Sequence, residues 1–451
     1  MNLVSKYNVQ APRYTSYPTV PYWDKTKPDV EEWKRLVKFS FDKSNEADGI
    51  SIYIHLPFCE SLCTYCGCNT RITVNHAVED VYINYVLKEW SLYLSVLGDK
   101  PNIKEIHLGG GTPTFFSAEN LKKLITGILE NASLTKDAEL SFEAHPNNTH
   151  LCHLKTMYDL GFRRISLGIQ DFDPKVQEII NRVQPFEIVE SVVNMARNIG
   201  YSSVNFDLVY GLPLQTKESV VNTINQVMLL KPDRIAFYSY AHVPWIKPGQ
   251  RKFTEADLPV DNEKKELYET GRSLFKKNGY EDVGMDHFSL KSDTLYKAAI
   301  SKKLHRNFMG YTHNYSLLMI GLGVSSISDS WYAFAQNAKI VEEYYKLLDE
   351  NTLPLIKGHK LSSSDLILRK HILNLVCNYK TSWENESEKC SEIHTALDKL
   401  VEMEKDGLVE IHPSNVIVTE VGKGFLRNIC MAFDARLWSE APKTQLFSSS
   451  V

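Results

Sequence analysis

From about residue 50 to residue 290 the chain alternates short apolar runs with longer amphipathic stretches. Six runs read as strands: GISIYIHL, IKEIHLG, AELSFEA, RRISLGI, SSVNFDLV and DRIAFYSY. Helical patterns lie between them, among them VEDVYINYVLKEWSLYLSVL, SAENLKKLITGILEN and KESVVNTINQVMLL. A weaker seventh strand is predicted at YEDVGMD. Strand and helix repeated about six times imply a parallel sheet with right-handed crossovers. An open doubly wound sheet and a full or partial (β/α) barrel satisfy this pattern equally. The polar residues are more telling: Gly110, Thr112, Glu143, Gln170 and Asp207 fall at the C-terminal ends of successive predicted strands. Parallel α/β folds build their active sites along that edge.

The flanks differ. Residues 1–48 are rich in Tyr, Pro and charge, and the strand–helix repeat occupies 49–290. A further region, 291–360, leads to a change of pattern at 361–451. There SSSDLILRKHILNLVCNYK reads as a capped helix, and the stretch from Ala396 to Phe433 as helix, short hairpin, helix. That shape raises a winged helix and DNA binding, but its helices mix Asp, Glu and Lys without a basic stripe. No low-complexity segment is evident beyond the FSSSV tail.

The 451 residues are 43% hydrophobic and 24% charged, an ordinary globular composition with a net charge of −4, so bulk nucleic-acid binding is not expected. The first residues lack the apolar core of a signal peptide, and no stretch approaches 18 uninterrupted apolar residues. The expectation is a cytoplasmic protein with no membrane span. In that reducing compartment clustered thiols mean metal or redox chemistry rather than disulfides.

Four of the eight cysteines do cluster: Cys59, Cys63, Cys66 and Cys68, on the loop after the first strand, spaced C-x3-C-x2-C-x-C. A structural zinc site uses two separated ligand pairs, and no second pair follows at the usual distance. Three thiolates spaced this way suit three irons of a [4Fe–4S] cube whose fourth iron stays open. LGGGTPT lacks a following Gly-Lys-Ser/Thr, so a nucleotide triphosphate loop is not indicated. A plain turn, or a close backbone approach to a ligand, both fit it.

C-x3-C-x2-C after a first strand resembles the radical S-adenosylmethionine enzymes. HLPFCESLCTYCGCN, GGGTPT, PRYTSYPT, GIQDF, DLVYGLPLQT, YAHVPW, GMDHF, LHRNFMGYT and GLGVSSIS together resemble the oxygen-independent coproporphyrinogen III oxidase family, from Tyr7 to about Phe433. The resemblance implies a partial (β/α)6 radical-SAM barrel, with an N-terminal substrate-covering segment (1–48) and a mainly helical C-terminal domain (361–451). Residues 291–360 would close the active site. It implies an enzyme that converts two propionates of coproporphyrinogen III to vinyl groups, in anaerobic haem synthesis. Its electron donor would be of the flavodoxin or ferredoxin kind, and it would be a monomer.

The same resemblance assigns Cys59, Cys63 and Cys66 to the cluster and leaves Cys68 outside the ligand set. Tyr53, Gly110, Glu143 and Ile327 would contact one S-adenosylmethionine. Gln170, Arg182, Asp207 and Ala241, completed by Tyr65, Gly111 and Thr112, would hold a second. A strand-end glutamate such as Glu143 is otherwise simply solvated, and Arg182 a surface ion pair. Arg13 and Tyr14 are the candidates for the substrate's carboxylates, an arginine offering a fork for them; the bland alternative is a packed tail. His305 to Thr312 would add to the substrate roof. No side chain is assigned a catalytic role, because the radical resides on the cofactor. His145 departs from the acidic residue many relatives carry, and a lone histidine there reads as structural. A haem-carrying chaperone and a methyltransferase-like radical enzyme are the competing functions. Cys68 and the intact PRYTSYPT argue against the first.

Overall fold

The computed structural model describes residues 3–440 and 447–448. The extreme ends of the two flanking segments, and most of the FSSSV tail, lie outside the described residues. The six expected strands form as β1 (Ile50–Leu56), β2 (Asn102–Gly110), β3 (Ser133–Ala144), β4 (Arg164–Gln170), β5 (Ser203–Tyr210) and β6 (Arg234–Ser239). They pair in parallel and in chain order. Helices Val78–Leu97, Ala118–Leu129 and Lys217–Leu230 stand where the amphipathic patterns put them.

The period of two along each strand explains the curvature. One face carries Ile52, Ile54, Ile106, Leu108, Phe142, Ile165, Leu167, Val204, Phe206 and Ile235, all buried in the main core beneath the helices. The opposite face carries polar groups. His107, Ser141, Arg164, Ser166, Asn205 and Arg234, from five strands, converge on one small internal cavity, so the sheet wraps around a polar interior. This interior is internally bonded. Arg164 pairs with Glu139 at 2.5 Å, Arg234 with Asp293 at 2.8 Å, and Thr312 donates to Glu105 at 3.1 Å.

The sheet is larger than six strands. YEDVGMD yields β7 (Tyr280–Asp282), which is not a further barrel strand: it pairs antiparallel with β8 (His287–Leu290), itself antiparallel to β6. On the other edge β9 (Met319–Leu322) lies parallel to β1. Then β10 (Ile327–Asp329), β11 (Ala333–Asn337) and β12 (Leu355–Lys360) follow antiparallel, so much of 291–360 is sheet rather than connection.

The C-terminal region contains helices Ser363–Asn378, Glu392–Lys405 and Leu426–Ala432 around a three-stranded sheet that includes the expected hairpin. Its core is shared with the other end of the chain: Tyr7, Tyr14 and Tyr17 belong to one buried cluster with Ile372, Leu375 and Ile429. No helix among the described residues is long and apolar enough to cross a membrane.

Candidate functional site

The thiol loop leaves β1 at Leu56 and is fastened on three sides. Toward β2, Gly111 N–H donates to Leu56 O at 2.8 Å and Thr112 N–H to Phe58 O at 3.0 Å. Toward the segment after β4, Thr64 N–H donates to Ile180 O at 2.9 Å and Asn181 Nδ2 to Leu62 O at 2.8 Å. Toward the segment after β6, Gln250 Nε2 donates to Tyr65 O at 3.1 Å and Lys247 Nζ to Cys68 O at 3.0 Å. Cys66 N–H closes a tight turn on Cys63 O at 3.1 Å.

The loop thereby faces the C-terminal strand ends across one cavity of about 690 Å³. Of the residues singled out from sequence, Cys59, Cys63, Cys66, Tyr65, Gly110, Gly111, Thr112, Glu143, Gln170, Arg182, Asp207, Ala241 and Arg13 all line it. Three do not. Tyr53 is on the inward face of β1, its hydroxyl 3.1 Å from His55 Nδ1. Ile327 packs beside Trp23 and Phe334. Tyr14 is turned away, its hydroxyl donating to Asp434 at 3.0 Å within the shared terminal core.

The electrostatics are strongly perturbed. Burial would raise Glu143, but the His107 imidazole, 3.5 Å away, and the Gly110 N–H hold it below the ordinary carboxylate value. Burial and the Glu143 charge push Asp207 the other way, up to about 7, against a hydrogen bond from Ser166 at 3.1 Å. Two carboxyls in one cavity are thus driven apart, one ionised and one poised near neutrality. Arg182 donates to Gly168 O at 2.6 Å and reaches Cys63 Sγ at 3.5 Å, a half-buried cation set against the thiols. The Cys68 thiol bond, with Lys247 and Arg182, outweighs burial and brings Cys66 down to about 6, while burial pushes Cys59 up to about 11. Burial brings His145 down to about 3; its ring accepts from Asn147 N–H at 3.2 Å, and the residue lines the same cavity.

Among the described residues no three of His, Cys, Asp and Glu converge as a single-ion site requires. A cube spreads its thiolates over three irons, so thiols bordering a space suit it where a zinc knuckle fails. The glycines allow close approach within the fold. A Cβ on Gly111 would meet Pro57 O at 2.6 Å, and one on Gly109 would meet Glu143 at 3.0 Å. The donor set, on a cavity that Gly110, Gly111 and Glu143 also line, therefore fits an iron–sulfur cluster with a polar organic ligand beside it.

The Radical SAM superfamily model matches residues 53–227, a span holding the thiol loop, Glu143, Gln170, Arg182 and Asp207. Over nearly the whole chain, similarity runs to proteins named oxygen-independent coproporphyrinogen III oxidase. That of Helicobacter pylori (strain ATCC 700392 / 26695) is 39% identical, with 96% of each chain covered. The chain belongs to this family. The Escherichia coli K12 relative is 36% identical over 99% of this chain and 97% of its own. A solved coproporphyrinogen III oxidase from Escherichia coli, described as a radical SAM enzyme, superposes with a TM-score of 0.88 and 34% identity, covering 95% of this chain and 100% of that one.

Sequence reasoning passed over several side chains of this family member's site. His107 and Tyr238 sit at inward positions of β2 and β6, and Lys247 and Gln250 follow YAHVPW. The inward alternation was the available signal for the first two. Nothing local marks the others, which act only because the chain folds back on the thiol loop.

Proposed function

We propose that this protein decarboxylates coproporphyrinogen III oxidatively and without oxygen, turning two propionates into vinyl groups to give protoporphyrinogen IX. The observation that carries the reading is the meeting of the thiol loop with the polar strand ends on one cavity, in a chain similar over its full length to oxidases of that name.

Cys59, Cys63 and Cys66 would hold a [4Fe–4S] cluster, and Glu143 with the Gly109–Gly111 backbone one S-adenosylmethionine. Gln170, Arg182, Asp207 and Ala241 are the candidates for a second, with Tyr65, Gly111 and Thr112. When bound, and given one electron by a flavodoxin- or ferredoxin-like donor, these groups supply a 5′-deoxyadenosyl radical that takes hydrogen from the β-carbon of a propionate. The substrate radical would then lose CO2 and pass one electron to an external acceptor, leaving the vinyl group. The chain's own tasks are placement and protection. Glu143, kept ionised by His107, offers a charged acceptor to an ammonium or a ribose hydroxyl. Asp207, near neutrality, can donate as well as accept. Arg182 offsets thiolate charge from the buried side, and Arg13 on the rim faces the substrate's carboxylates.

The test is anaerobic. The protein is reconstituted with iron and sulfide, then given reductant, S-adenosylmethionine, coproporphyrinogen III and an electron acceptor, and the porphyrin mass is followed. Stepwise loss of two carboxyl groups, absent in Cys63→Ser, is the expected result. Formation of 5′-deoxyadenosine with an unchanged porphyrin mass refutes the substrate, and failure to assemble a cluster refutes the site.

A further inference from the structure

Arg306 lies on the small hairpin His305–Asn307 and Gly310–Thr312 and is only 5% exposed. Its guanidinium stands over the Tyr311 ring, 4.4 Å from the centroid, and Nη2 reaches the Arg13 carbonyl at 3.4 Å. Nε and Nη1 have no hydrogen-bond partner among the described residues. The two other arginines buried to the same degree do have carboxylates: Arg234 has Asp293, and Arg369 has Asp329. A buried guanidinium with idle donors is costly, and an apolar side chain of similar size would be the more stable choice. Such a group points to an anion that arrives from outside the fold.

Its place says which anion. Arg13 lines the large cavity and donates to Ser239 O at 2.7 Å. Tyr311, under Arg306, lines the smaller cavity of about 160 Å³. The two cavities share Glu143, Asp207 and Tyr238, and Arg306, which lines neither, touches a wall residue of each: Arg13 of the larger and Tyr311 of the smaller. We propose that Arg306 is the seat of one substrate carboxylate: a propionate passes Tyr238 and is held by the idle guanidinium donors, with Arg13 adding charge at the rim. Holding one propionate below the cavity floor fixes the ring, and with it which propionate stands beside the radical. This inference rests on the porphyrinogen reading above.

The experiment uses the reconstituted holoenzyme with coproporphyrinogen III, comparing wild type, Arg306→Met and Arg306→Lys. Expected for Arg306→Met is a KM at least 10-fold higher, with unchanged iron content, unchanged S-adenosylmethionine cleavage without porphyrinogen, and a melting temperature equal to or above wild type. Arg306→Lys, a point charge without the planar fork, falls between. A structural role predicts the reverse pattern. An unchanged KM with a lowered melting temperature in Arg306→Met overturns the proposal. If Arg306→Met does not fold, Arg306→Lys decides alone: at least a threefold rise in KM supports the seat and an unchanged KM overturns it. An inert wild type overturns the substrate reading and this inference with it, whereas an active wild type with an indifferent Arg306→Met overturns this inference only.

Discussion

One added methyl group tests whether the thiol loop is held by close backbone contact. A Cβ on Gly111 would lie 2.6 Å from Pro57 O and 2.9 Å from Phe58 O, both backbone atoms immediately before Cys59. Real Cβ atoms essentially never come within 3.0 Å, so loop and strand must part by at least about 0.4 Å. That parting strains the bonds from Gly111 to Leu56 and from Thr112 to Phe58, and the 3.3 Å contact between Cys59 Sγ and Thr112 Oγ1. Overpacking of this kind costs about 1–3 kcal/mol. If all of it falls on cofactor placement, the rate drops about 5- to 150-fold. Gly67, on the same loop, is the control, since a Cβ there meets nothing within 4 Å. Iron and sulfide per chain, 5′-deoxyadenosine formation and porphyrin decarboxylation are measured for Gly111→Ala and Gly67→Ala. Gly67→Ala should stay within about twofold of wild type by the absence of any clash. A Gly111→Ala enzyme keeping more than half the wild-type rate, or a Gly67→Ala enzyme falling as far, refutes the reasoning.

Three further outcomes are expected. Cys63→Ser should lose the cluster absorbance and its iron, while Cys68→Ser retains iron; equal loss in both would return Cys68 to the ligand set. Arg369 forks onto Asp329 between the Trp331 and Phe334 rings, tying the C-terminal helix to the sheet, so Arg369→Ala should destabilise by about 3–5 kcal/mol in urea unfolding and Arg369→Lys by less. Glu89, fully buried, accepts from Gly323 N–H, Asn337 Nδ2 and Tyr344 Oη, and burial lifts it from 4.5 to about 7. Folding therefore takes up a proton between those values, and this group's contribution to stability falls as pH rises through that window. Glu89→Gln should flatten the difference in stability between pH 5 and pH 8, and an unchanged difference would refute the assignment.

The legible part of this fold is the part whose physics is local. Each parallel strand shows an apolar side to its helices and a polar side to the interior, so ISIYIHL or ELSFEA carries its own orientation. The last inward residues of such a strand, like Glu143, or Asp207 with Val209 beyond it, belong to the cavity rim. What escaped is non-local. β9 through β12 are three to six residues long, and Met319 finds its register on Ser51, far back in the chain. Such pairing leaves little trace in either segment. Tyr14 escaped for another reason. It follows Arg13 directly, but its backbone turns left-handed (φ 46°), sending its ring into the terminal core while Arg13 reaches the cavity.

That divergence bears on how the proposed cover over the site would be built. The first residues, up to about Tyr17, have little of their own to fold on and are held by the C-terminal helices, whereas the helix Val30–Ser44 further along packs Trp33, Val37 and Phe41 on the main core. Asn428 Nδ2 donates to Tyr7 O at 2.8 Å, Arg427 donates to the carbonyls of Ala11 and Pro12, and Lys6 pairs with Glu402 at 2.7 Å. Tyr14 on Asp434 adds a buried bond at the residue next to Arg13. Arg13 is therefore positioned over β6 by residues from the far end of the chain, and Arg306 joins the same backbone at the Arg13 carbonyl. The two ends fold on one shared core, and through Arg13 that core supplies part of the cavity wall. A radical on a primary carbon reacts with whatever reaches it, so a wall of that kind does more for the chemistry than a separate flexible lid could.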